Sequence, residues 1–166
     1  MSKDPVMKLL SLIIITFIFI SCNESTGTKN LKLQIDSLNQ KLSNNYSPGL
    51  GEFMSGIQVH HAKLWFAGTN GNWKLADFEI HEIMEAVEDI QKFNTDRPEV
   101  KSIGMITTPL DSVNIAIVKK DPTAFKSAFN LLTNSCNSCH KATDHGYNVI
   151  KMPDSPPYSN QEFKVR

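Results

Sequence analysis

The chain has 166 residues, with 17 basic and 17 acidic side chains and a formal net charge of +0. That balance, with no basic patch interleaved with aromatics, argues against a nucleic-acid partner. The length suits one domain with a small core, and no strand-like alternation competes with helical spacing, so the expected class is all-α.

At the N-terminus, Lys3 and Lys8 precede an apolar run from Leu9 to Ile20, which ends at Ser21 and Cys22. A positive start followed by an apolar stretch is the order of a secretory signal. The run is shorter than the roughly 20 residues of a spanning helix, so a permanent transmembrane segment is the weaker reading. Phe19-Ile20-Ser21-Cys22 resembles the lipobox of bacterial lipoproteins, with Phe19 where Leu is usual. The resemblance implies a signal peptide over residues 1–21, an acylated Cys22 that anchors the chain to a lipid bilayer, and an address in the cell envelope on the periplasmic side. Asn23 rather than Asp after that cysteine favours the outer membrane over the inner. The alternative is an ordinary signal peptide that merely ends near Cys22.

Residues 22–48 read as a tether and a short amphipathic helix. Asn23 to Asn30 are small and polar, as in a flexible linker. Leu31, Ile35, Leu38 and Leu42 then fall at spacings 4, 3, 4, a coiled-coil seam too short to be secure alone. A stalk or a docked helix is favoured about two to one over self-association into a homo-oligomer. The turn cluster Asn44-Asn45-Tyr46-Ser47-Pro48-Gly49 marks the boundary of the main domain, expected over residues 49–143.

Four helices are predicted in that domain. The first covers about residues 51–67, with Met54, Ile57, His61, Leu64 and Gly68 at spacings 3, 4, 3, 4, and ends in Gly68-Thr69-Asn70-Gly71, with Asn72 placed to cap the next. The second, about 73–93, carries Ala76, Ile80, Ile83, Val87 and Ile90 on one face and an acidic run elsewhere, read as a solvated face. The third is clearest from Pro109 to Lys120, with Thr108 as its cap, and the status of 99–106 is open. Asp121-Pro122 starts the fourth, whose inward stripe is Phe125, Ala128, Leu132, Cys136 and Cys139. Short connections between amphipathic helices favour an antiparallel four-helix bundle, whose cofactor sites lie between facing helices.

The fourth helix ends in Cys136-Asn137-Ser138-Cys139-His140, a Cys-x-x-Cys-His run. On a helix these three residues share one face, so two thiols can join the vinyl groups of a porphyrin while the imidazole reaches its iron. One covalent haem c per chain is expected, with His140 as the proximal ligand. The rivals are half a zinc site or a thiol–disulfide pair; neither a second cysteine pair nor a βαβ pattern supports them. With two of three cysteines taken by haem, acylation of Cys22 removes the odd thiol. Covalent haem is attached outside the bacterial cytoplasm, which agrees with the export signal.

The helix order and the stretch Ala128 to Lys141 resemble the class II c-type cytochromes, cytochrome c′ and its six-coordinate relatives, over residues 49–142. The resemblance implies that Cys136 and Cys139 bind haem, that His140 is proximal, and that a residue of the first helix fills or leaves open the distal position. Were the first and last helices antiparallel, Met54 would lie level with the iron; His61, two turns along the same stripe, is the alternative ligand, and Met152 a third. Met–His ligation would suit electron transfer. His60 and His81 are expected on the surface or flank, and His61 and Lys63 are alternative partners for a haem propionate.

The 26 residues after His140 depart from that family. Within the extension 144–166, Tyr147, Val149, Ile150 and Met152 are candidates to fold over the haem edge. No hydrolytic triad, phosphate loop or His-Glu-x-x-His is found, so no enzyme is expected. The expected function is one-electron transfer between redox partner proteins; the alternative is a haem protein that binds nitric oxide or carbon monoxide at an open distal site.

Overall fold

The computed structural model describes residues 26–45 and 48–165, which fall into two units dividing after Asn45. Cys22 and the apolar run before it lie outside the described residues. All regular structure among the described residues is helical, and none of these helices is long and apolar enough to cross a membrane.

The first unit contributes α1, Thr26–Asn45. The helix thus begins inside the stretch expected to be a tether, because Lys29, Leu31, Lys32, Leu33 and Gln34 are good helix formers and Gly27 is tolerated in a first turn. Leu31, Ile35, Leu38 and Leu42 are all exposed along it.

The second unit contains α2 (Leu50–Thr69), α3 (Trp73–Phe93), a 3-10 segment (Pro98–Ile106), α4 (Thr107–Val118) and α5 (Pro122–Ala142). Gly71, at φ 70°, turns the chain between α2 and α3, a conformation that favours glycine. Asn72 then caps α3, its side-chain oxygen accepting from the Leu75 N–H at 3.3 Å. The expected face of α3 is buried: Ala76, Ile80, Ile83, Val87 and Ile90. No cap is needed at Thr108, since the 3-10 segment runs directly into α4 and Pro109 sits in the first turn, where a missing N–H costs little. Asp121 holds the start of α5, accepting from the N–H groups of Thr123 and Ala124 at 2.9 and 3.0 Å.

α2 packs on α3 and α5, α4 on α3 and α5, and the 3-10 segment lies against α5. Gly68 of α2 lies against Phe125 of α5, so closely that a Cβ would clash with the ring. Trp65 stacks on that ring at 6.4 Å and Trp73 meets it edge-on at 6.0 Å. Phe129 extends the cluster, 5.0 Å from Trp65 and 4.4 Å from the His61 ring. It is Phe129, not the half-buried Ala128, that fills the core beside Phe125. Fully burying such side chains stabilises by roughly 1.5–3 kcal/mol each. The C-terminal extension is drawn into the same core: Phe163 is buried against Phe66, ring centroids 5.7 Å apart.

Candidate functional site

The last turns of α5 carry Cys136, Cys139 and His140, and these three line one cavity of about 330 Å³ together with Met54 of α2. Its volume lies in the range of small-molecule and cofactor sites. Ile57, Ile90, Ile103 and Ile106, from three different elements, give it aliphatic walls. Arg97, Glu99 and Asn148 add polar groups. Arg97 Nη2 donates to Glu99 Oε1 at 2.8 Å, and the Glu99 carboxyl is held below its ordinary value first by its own backbone N–H and then by Arg97.

Both thiols of the Cys-x-x-Cys pair are free. Burial, with Cys139 close by, pushes the Cys136 thiol up to about 11, and burial also raises Cys139. The Cys139 Sγ lies 3.7 Å from the Ser102 carbonyl oxygen, to which it is a weak donor. A thiol–disulfide catalyst needs the opposite, a thiolate favoured near neutral pH.

His140 Nδ1 lies 2.6 Å from the carbonyl oxygen of Asn148. A carbonyl only accepts, so Nδ1 carries the proton and the lone pair is left on Nε2, the nitrogen a metal would take.

The other candidate ligands stand elsewhere. His61 is buried, its Nε2 2.9 Å from Thr133 Oγ1. The Thr133 hydroxyl donates to the Phe129 carbonyl at 3.0 Å, so it accepts from His61 Nε2–H. Burial lowers the His61 imidazole to about 4, which keeps it neutral. Met152 packs beside the same threonine, its Sδ 3.7 Å from Thr133 Oγ1. Neither His61 nor Met152 lines the cavity.

His60 and Lys63 form a charge cluster that the sequence did not reveal. His60 Nδ1 donates to Glu79 Oε2 at 2.6 Å and Lys63 Nζ lies 3.1 Å from Glu79 Oε1, with Glu79 fully buried. Lys63, a candidate for a propionate, is engaged here, and His60 is half-buried at the flank of α2. The available signals were His60 and Lys63 at i, i+3 on one face of α2 and Glu79 at i+3 from Ala76 on the apolar face of α3. His81 is exposed and donates to the Asp77 carbonyl at 2.7 Å.

Among the described residues, no three His, Cys, Asp or Glu side chains converge as a group that could hold a metal ion. A porphyrin makes a different demand: two thiols and an imidazole on one wall, an apolar cavity, and a soft donor or open space beyond. The donor set around this cavity fits it. Comparison with protein-family models, curated proteins and solved structures gives no match.

Proposed function

We propose that the chain is a membrane-anchored, extracytoplasmic mono-haem c-type cytochrome that passes single electrons between redox partner proteins. The observation that carries this reading is the meeting of Cys136, Cys139, His140 and Met54 at one aliphatic-walled cavity. In this reading α2 to α5 form an antiparallel four-helix bundle. The pairs Gly68 with Phe125 and His61 with Thr133, and then Met54 and His140 at one cavity, fall along α2 as they rise along α5, which supports that arrangement.

Cys136 and Cys139 would hold a porphyrin through thioethers to its vinyl groups, and His140 Nε2 and Met54 Sδ would hold its iron. The bound haem supplies a one-electron iron couple. The chain's own residues bind and tune it. The isoleucines of the wall would give the group an apolar surround, and a methionine ligand would favour its reduced form. An acylated Cys22 would hold the domain at the membrane, which the lipobox-like residues 19–22 support. A zinc or dithiol module is disfavoured by the lack of converging ligands among the described residues and by the raised thiols.

The test is the double variant Cys136→Ala/Cys139→Ala, expressed with the export signal in a host that matures c-type cytochromes. Wild type should carry pigment through a denaturing gel and the variant none; covalent pigment persisting in the variant would refute the assignment.

A further inference from the structure

The Cys-x-x-Cys-His run contains a side chain with no part in haem attachment that is nonetheless fully engaged. Asn137 Nδ2 donates to the Ile150 carbonyl at 2.8 Å, and its Oδ1 accepts from the Ile150 N–H at 2.8 Å. A side-chain amide that satisfies both backbone groups of one residue has only one workable orientation, and it fixes that residue like a ladder partner.

What Asn137 fixes is the segment that reaches His140. Two residues before Ile150, the Asn148 carbonyl oxygen accepts from His140 Nδ1 at 2.6 Å. The loop is braced inside: the His145 N–H donates to the His140 carbonyl at 2.7 Å and the Asn148 N–H to the His145 carbonyl at 2.8 Å. Asn148 and Ile150 line the cavity, while Tyr147 and Val149 are 81% and 70% exposed.

We propose that Asn137 and the strap it clamps, residues 148–150, are a positioning device that sets the tautomer and ring orientation of His140 before any haem arrives. The proposal rests on the cytochrome reading for its purpose, though not for its geometry. A neutral histidine without a partner favours the proton on Nε2, which would block ligation through that nitrogen. The Asn148 carbonyl reverses the preference, and a carbonyl acceptor on Nδ1 makes Nε2 a better donor to a metal. Asn137 acts through Asn148 and is a positioning residue, not a ligand. Asp at 137 would keep the acceptor for the Ile150 N–H but turn a carboxylate oxygen on the Ile150 carbonyl, so the strap would be held by one bond instead of two.

The experiment is histidine 15N NMR on the haem-free full chain at about pH 8, above the ordinary imidazole range. His61, whose Nε2–H is fixed by Thr133, is an internal reference for an intact core. Wild type should show His140 with its proton on Nδ1, and Asn137→Ala should lose that tautomer as the major form while His61 is unchanged. Should the alanine variant disturb His61, Asn137→Asp provides the reading and should show a partial loss. Wild-type His140 protonated on Nε2, or an unaltered His140 in a folded variant, would overturn the proposal. A wild-type chain with His140 held as Nδ1–H that takes up no covalent haem would overturn the cytochrome reading and leave the strap standing.

Discussion

At the Gly68 end of the α2–α5 contact, ring packs on ring: Phe125 sits against a residue with no side chain and is closed in by Trp65, Trp73 and Phe129. At the Met54 end, the same two helices with α3 and the 3-10 segment leave a cavity of about 330 Å³, lined by isoleucines, two cysteines, His140 and His145. The stripe that fills space at one end presents donors at the other. His61 and Thr133 lie between, a neutral pair in the buried core. The aromatic packing and the proposed cofactor site thus occupy different stretches of one interface.

That division can be broken from the sealed end. Phe125→Ala should cost about 3–5 kcal/mol of unfolding free energy, by loss of buried area and the void left behind, while the haem spectrum of the folded fraction stays unchanged. A spectrum that changes with it would mean the two ends are coupled.

His61 sharpens the comparison through pH. Its imidazole titrates near 6.5 when exposed and at about 4 in the fold, so the unfolded chain takes up the proton first as pH falls. Stability from this residue is complete above pH 6.5 and declines toward pH 4, by about 3 kcal/mol in all at 1.36 kcal/mol per unit. Denaturant titrations of wild type and His61→Gln across that window should diverge by this order. Parallel losses would show that His61 is not the acid-sensitive group. Gly68→Ala should have a smaller effect, about 1–3 kcal/mol from forcing a methyl into the Phe125 ring, read as a lowered thermal midpoint.

How much of this was legible in the sequence follows the range of the interactions. Asn72 and Asp121 mark helix starts because capping is local, and the face of α3 followed from its period. The Cys-x-x-Cys-His run is likewise a local signature, and the first two residues of the predicted α2 stripe, Met54 and Ile57, line the same cavity. Glu79 stands i+3 from Ala76 and i−4 from Ile83 on the buried face of α3, but its period says nothing of the partners, His60 and Lys63, that α2 brings to it. The strap has no period at all: Asn137 finds Ile150 across a loop, and Phe163 finds Phe66 across most of the chain. Such contacts are set by tertiary packing, which no spacing encodes.

The measurement that bears most directly on the central claim is the absorption spectrum of the exported protein, oxidised and reduced, with and without carbon monoxide, beside Met54→Leu. That substitution conserves volume and should cost less than about 1.5 kcal/mol. A low-spin haem spectrum is expected in wild type, with a weak band at the red end that the substitution removes and a response to carbon monoxide only in the variant. A wild-type chain without haem bands, or a high-spin one that already responds to the gas, would contradict that claim.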